Sequence, residues 1–207
     1  MDRYYSRWII VAAVLACCAL GAAAQISPDL YAGLQWRNIG PYHGGRVASI
    51  GGPVGDVKQV GVFYAGMPQG GIWKTTSAGT TWFPIFEEVT GVDSIGAIVV
   101  APSNPNIIYA GSGDAISATP VEGNGMYKST DAGKTWAHMG LEGTRRIGSI
   151  VVDPKNPDVV VVAAMAGATG DQRGIFRTED GGRNWSNVLH VDDKTGGRDL
   201  SSPYDQP

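Results

Sequence analysis

The chain has 207 residues, a formal charge of −3, 30 glycines and 12 prolines but only two cysteines, Cys17 and Cys18. With no basic cluster beyond Arg145-Arg146, this mildly acidic balance argues against nucleic acid as a partner. Because both cysteines sit in a segment that reads as a removable leader, no disulfide framework, thiol nucleophile or cysteine-based zinc site is expected in the mature chain.

That leader is residues 1–24. Arg3 and Arg7 make a positive start, 8–20 form an apolar run, and Ala22-Ala23-Ala24 before Gln25 offers small residues for cleavage. A run this short is not counted as a membrane span, so the protein is expected to be exported, to the periplasm or outside the cell, with no membrane span after cleavage. An alternative is lipoprotein anchoring at Cys17, since Val14-Leu15-Ala16-Cys17 resembles a lipobox. Cleavage after Ala24 would remove Asp2, Arg3 and Arg7 and shift the formal charge from −3 to −4. Residues 25–44 then form a Gly-rich lead-in to the first repeat.

From residue 45 the chain is repetitive. Four short β-rich runs are predicted at 46–50, 61–65, 71–75 and 81–86. Four more follow at 95–100, 107–110, 125–128 and from Trp136, and another four at 147–152, 159–164, 174–177 and from Trp185. Gly, Pro, Asn and Asp separate them, and no helical period intervenes. The fold class expected is all-β, a β-propeller of four-stranded antiparallel blades, with about three blades present (45–90, 91–140 and 141–190) and the ring incomplete. The stretch 197–207 echoes the opening of a fourth blade. Such a chain is expected to be part of something longer, its partners being further blades of a longer chain or of a partner chain.

Each repeat carries the same turn. Ser129-Thr130-Asp131-Ala132-Gly133-Lys134-Thr135-Trp136 returns as Thr178-Glu179-Asp180-Gly181-Gly182-Arg183-Asn184-Trp185, and in eroded form as Thr75-Thr76-Ser77-Ala78-Gly79-Thr80-Thr81-Trp82. The tryptophans are 54 and 49 positions apart, in the period range of propeller blades. Short polar side chains at Ser77, Asp131 and Asp180 suit acceptance of backbone N–H bonds, with Gly taking φ > 0. These residues are therefore assigned to turn-holding and not to catalysis, and Trp82, Trp136 and Trp185 are expected in the core.

With repeats of this form the chain resembles the Asp-box (BNR-type) propellers, in the sortilin N-terminal and xyloglucanase-like branch. The opening Trp36-Arg37-Asn38-Ile39-Gly40-Pro41-Tyr42-His43-Gly44-Gly45-Arg46-Val47, with Gly70-Gly71-Ile72-Trp73-Lys74-Thr75, is similar to the start of large exported bacterial proteins often labelled glycosyl hydrolases. The resemblance implies a catalytic Asp in a loop of the form Tyr-Ala-Arg-Thr-Asp-x-Gly-Gly. The matching stretch is Tyr64-Ala65-Gly66-Met67-Pro68-Gln69-Gly70-Gly71, with Pro68 where the acid should stand. Proline can neither protonate a leaving group nor activate water. The arginine cluster and tyrosine nucleophile of sialidases have no counterpart here.

Strand parity places the loops after the second and fourth strands of every blade on one face, opposite the repeated turns, and these loops vary in length. Function concentrates on variable loops held by a rigid scaffold. Polar candidates there are Glu87, Glu88, Asp93, Asp114, Glu122, Arg145, Arg146, Asp171 and Arg173. Asp114 and Glu122, in Gly-rich surroundings, are the candidate acids, and Asp93, Arg145, Arg146, Asp171 and Arg173 the candidate ligand-binding residues. All of them also read as solvated loop charges. Arg46 and His43 could face the channel, His43 as a surface or capping residue. No metal site and no cofactor are expected.

Three functions fit these residues. A binding or scaffolding propeller for a protein, peptide or glycan ligand requires no missing group and is the reading adopted. A glycoside hydrolase would need two carboxylates roughly 5 to 9.5 Å apart, at least one of them from blades outside this chain. A purely structural segment is the third.

Overall fold

A computed structural model describes residues 46–55, 59–114, 121–165 and 173–190, all within a compact unit spanning Gly44–Pro207. The leader 1–24 with Cys17, the lead-in 25–44 with His43, the candidate Asp171 and the stretch 197–207 lie outside the described residues.

The strands are β1 (Ser49–Gly51), β2 (Phe63–Gly66), β3 (Ile72–Thr75), β4 (Phe83–Pro84), β5 (Ile95–Val100), β6 (Ile108–Ser112), β7 (Met126–Ser129), β8 (Ala137–His138), β9 (Arg146–Val152), β10 (Val160–Met165), β11 (Gly174–Thr178) and β12 (Ser186–His190). They form three four-stranded sheets in the orders β1-β2-β3-β4, β5-β6-β7-β8 and β9-β10-β11-β12, each an antiparallel meander. Three propeller blades, without ring closure among the described residues, are the architecture. The fourth strands begin one residue after the repeat Trp rather than at it, and β4 and β8 are only two residues long.

Burial shows how the blades stack. In the middle blade all five residues of β6 are buried, because a strand whose side chains alternate between two covered faces hides every one of them. In β10 burial alternates strictly, with Val160, Val162 and Ala164 buried and the residues between them only partly so. Two cores result. Tyr64, Ile72 and Phe86 of the first blade meet Ile98, Ile108 and Tyr127 of the second, and Tyr109, Met126 and Leu141 of the second meet Ile147, Val162 and Phe176 of the third.

Glycines at the ends of the second strands set the closeness of this packing. A Cβ added to Gly66 would stand 2.6 Å from Ile95 Cγ2, and one added to Gly111 would overlap both Cβ and Cγ2 of Ile147. Ile95 and Ile147 lie at the start of the first strand of the following blade, so each blade sits nearly backbone to side chain on its predecessor.

The repeated turns are closed by side chains. Asp131 Oδ1 accepts from Thr135 N (2.9 Å) and Ser129 Oγ (2.8 Å), and Oδ2 accepts from Thr135 Oγ1 (2.6 Å). Asp180 repeats this with Asn184 N (2.9 Å), Thr178 Oγ1 (2.8 Å) and Asn184 Nδ2 (2.6 Å). Ser77 accepts from Thr81 N at 2.9 Å, and its single hydroxyl also bonds those of Thr81 (2.9 Å) and, more weakly, Thr75 (3.4 Å). In the first two turns a non-glycine residue, Ala78 (φ 56°) or Ala132 (φ 60°), enters the left-handed region just before the Gly.

Hydrogen bonds from the Thr135 side chain and backbone hold the Asp131 carboxyl down at about 2, and bonds from Asn184 do the same for Asp180, against an ordinary value of 3.8. A carboxyl whose folded pKa is depressed contributes stability in full above its unfolded pKa and loses it as pH falls through the folded one. The urea midpoint is therefore expected to drop between pH 4 and pH 2. Replacing both residues, Asp131→Asn with Asp180→Asn, should flatten that drop, and an unchanged slope in the double variant would contradict the assignment.

The tryptophans correct one expectation. Trp82, Trp136 and Trp185 are only partly buried; Trp136 and Trp185 pack at the rims of the two inter-blade cores. Trp136 Nε1 donates to Ile85 O (2.8 Å) of the first blade, and Trp185 Nε1 to Met139 O (2.7 Å) of the second. Trp82 has no such partner and donates to Gly79 O of its own turn at 3.0 Å.

Candidate functional site

The loop face opposite the repeated turns is built by 67–71 after β2, 85–94 after β4, 113–125 after β6 (115–120 outside the described residues) and 139–145 after β8. Backbone bonds tie these loops together across blades. Gly70 N and Gly71 N both donate to Asp93 O (2.9 and 2.7 Å), Ile95 N to Met67 O (2.8 Å), Gly113 N to Ser94 O (2.8 Å) and Gly123 N to Arg145 O (2.6 Å). The face is thus a single hydrogen-bonded platform, which fits it to hold side chains in fixed relation.

The two candidate acids sit differently. Asp114 is 1% exposed and forms an ion pair with Arg46, which enters β1 from 68 positions earlier. Burial of a carboxyl is offset by such a partner, so Asp114 is enclosed and paired with Arg46 and is not an open loop acid. Glu122 pairs with Arg145 at the surface, both side chains about two-fifths exposed. Arg145 itself has φ 52° at the end of the short 3₁₀ turn Glu142–Thr144. Arg146 opens β9 half-buried, Arg173 is half-buried before β11, and Glu87, Glu88 and Asp93 are exposed. The Ser94 side chain is fully buried, and its hydroxyl has no hydrogen-bond partner among the described residues.

Pro68 is buried. Its loop keeps a tight form, with Met67 N donating to Gly71 O at 2.9 Å, but the position at its tip carries no ionisable group.

Beside this loop lies a groove of about 420 Å³ bordered by Gly70, Trp73, Pro84, Phe86, Glu87 and Asp93, among others. The Trp73 indole is fixed by donation of its N–H to Gly70 O at 2.8 Å. A half-buried aromatic face with two exposed carboxylates at the rim combines apolar stacking with hydrogen-bond acceptors. Sequence reasoning found Glu87 and Asp93 but missed Trp73 and Phe86. The signal available was an aromatic residue two positions after a Gly-Gly pair, in Gly70-Gly71-Ile72-Trp73, where the backbone tightens beside the loop face.

Among the described residues no group of three or more His, Cys, Asp or Glu side chains could hold a metal ion, and no helix is long and apolar enough to cross a membrane.

The fold is that of β-propeller blades, and the sequence is similar to those of xyloglucanases. No family model matches the sequence. It is 24% identical over 174 residues to a xyloglucanase of Hypocrea jecorina, covering 76% of this chain and 20% of that protein. It is 25% identical over 195 residues to xyloglucanase Xgh74A of Acetivibrio thermocellus, covering 86% and 22%. The chain therefore spans about a fifth of the length of these curated relatives. Among solved structures it is similar in fold to an ancestral GH74 enzyme (TM-score 0.60, 24% identity, 78% of this chain and 21% of that one). It is likewise similar to the GH74 xyloglucanase from Xanthomonas campestris (TM-score 0.57, 22% identity, 74% and 22%).

Proposed function

We propose that this chain is a non-hydrolysing glycan-binding segment of an exported Asp-box propeller of the sortilin N-terminal, xyloglucanase-like branch, working with further blades of a longer chain or a partner chain. One observation carries this reading. The loop that the resemblance matches to an acid-bearing form is closed by donation from Met67 N to Gly71 O and holds a buried proline at the acid position, while the groove next to it offers Trp73, Glu87 and Asp93. Sugar rings present C–H faces to an aromatic and hydroxyl donors to carboxylates, so the groove can bind a saccharide without any group that breaks one. The relatives' names make xyloglucan the first ligand to try.

Titration of the chain with xyloglucan oligosaccharides, followed by isothermal calorimetry, should show binding that Trp73→Ala weakens at least ten-fold and that Glu88→Gln leaves unchanged. Absence of binding in the parent would remove the glycan reading and leave a protein or peptide ligand.

The alternative, a glycoside hydrolase, rests on Asp114 and Glu122. The pairing of each with an arginine, and the burial of Asp114, count against a pair that must exchange protons with a substrate.

A further inference from the structure

Within the middle blade, Asn124 and Gly125 knot the loop after β6 to β8 and the loop that follows it. Asn124 N donates to Ser112 Oγ (2.8 Å), His138 Nε2 donates to Asn124 O (2.8 Å), and the Tyr127 hydroxyl donates to Asn124 Oδ1 (2.8 Å). Ser112 N (2.9 Å) and Ser112 Oγ (2.7 Å) both donate to Gly125 O. Gly125 has φ 106°, and a Cβ added there would overlap Gly140 O and the carbonyl carbon of Leu141. The Tyr127 ring is itself fixed, buried edge-on against Phe86 and His138 with centroids 5.2 and 5.1 Å away.

An asparagine side chain can be attacked by the amide nitrogen of the next residue, and glycine there has no side chain to obstruct the five-membered ring and leaves the backbone free to bend. The chain has seven asparagines and one Asn-Gly step, Asn124-Gly125. Asn104 and Asn156 precede proline, which has no N–H to lose, and Asn38, Asn106, Asn184 and Asn187 precede isoleucine, tryptophan or valine. The fold adds to this local chemistry. The Tyr127 hydroxyl donates to the oxygen on which negative charge develops when Asn124 Cγ is attacked. The bonds that hold Gly125 run through its carbonyl, and no described residue accepts from its N–H. Asn124 is half-buried, so water reaches it.

We propose that Asn124 is a site of self-modification, converting through a cyclic imide to aspartate and isoaspartate. Gly125 N forms a bond to Asn124 Cγ, the Cγ–Nδ2 bond breaks, and the amide nitrogen leaves as ammonia with the proton that Gly125 N gave up. Water then opens the ring at either carbonyl. In the isoaspartate product the main chain runs through the side-chain methylene and is longer by one atom, so Gly125 is displaced from its contact with Gly140 and Leu141. The bonds from Met126 N to Gly140 O (2.9 Å) and from Gly123 N to Arg145 O (2.6 Å), which join the two loops, loosen with it. The inference stands apart from the glycan reading, since no saccharide takes part.

The test is incubation of the full 207-residue chain in mildly alkaline buffer, followed by peptide mapping and by methyl transfer from an isoaspartate-specific methyltransferase. The folded parent should accumulate product at Asn124 and at none of the other asparagines, and Asn124→Gln should accumulate none. Tyr127→Phe, which keeps the packed ring, should convert about ten-fold more slowly, the factor that one hydrogen bond of ordinary net worth supplies. In urea the hydroxyl no longer reaches Asn124, and parent and Tyr127→Phe should convert at one rate. Hydrogen exchange over 139–145 should rise with the modified fraction. A folded parent whose Asn124 stays intact overturns the proposal. A Tyr127→Phe variant that converts as fast as the parent or faster overturns it as well, because the hydroxyl would then only restrain the amide. Product at Asn124 with unchanged exchange over 139–145 would sink the coupling to the loop face.

Discussion

Replacement of Trp136 by alanine should cost about 3 kcal/mol, the largest single effect expected in this chain. The indole packs edge-on against Phe86 at 5.4 Å and 74°, borders the core between the first two blades and donates its N–H to Ile85 O. Its removal opens that boundary and leaves the carbonyl without its donor. Trp136→Phe keeps the ring and should cost only about 1 kcal/mol for the lost hydrogen bond. Trp82→Ala, at a position whose N–H serves its own turn, should also cost about 1 kcal/mol. Chemical denaturation of the three variants checks this, and equal losses for Trp82→Ala and Trp136→Ala would show that the tryptophans hold turns and not blades.

A single methyl group at Gly111 should be nearly as damaging, at about 3 kcal/mol, the upper end of what overpacking costs. The added Cβ would overlap the Cβ of Ile147, an atom rigidly tied to the backbone of β9, so the second and third blades must move apart. At Gly66 the closest atom is the Cγ2 methyl of Ile95 at 2.6 Å, with Cβ further away at 3.3 Å. A change of rotamer can relieve part of that contact, and Gly66→Ala should cost about half as much. Thermal melts of the two variants separate the cases; a milder effect at Gly111 than at Gly66 would mean that the blade spacing is not set by these glycines.

The fold was readable because its signals are local and repeated. The repeated eight-residue turn, the Pro/Asn turns and the short apolar runs each lie within about ten residues of chain, the tryptophans recur at 54 and 49 positions, and the strands fall within a few residues of the expected places. Features that depend on a neighbouring blade were not readable. Whether Trp136 is core or boundary depends on Ile85, 51 positions earlier, and the Asp114–Arg46 pair joins residues 68 apart. Asp114 therefore looked like an open loop acid until its counter-ion was placed. The groove draws Trp73 from β3 and Phe86 and Asp93 from the loop after β4, and no local pattern links those three. Pro68 is the opposite case, since one residue read against the resemblance already removed an acid from the loop.

If these blades hold a glycan and leave it whole, a xyloglucan oligosaccharide recovered after prolonged incubation with the chain should show an unchanged mass by mass spectrometry. Shorter saccharides whose masses together exceed the parent by one water, produced by this chain and lost in an Asp114→Asn, Glu122→Gln double variant, would contradict it and make those two acids the catalytic pair.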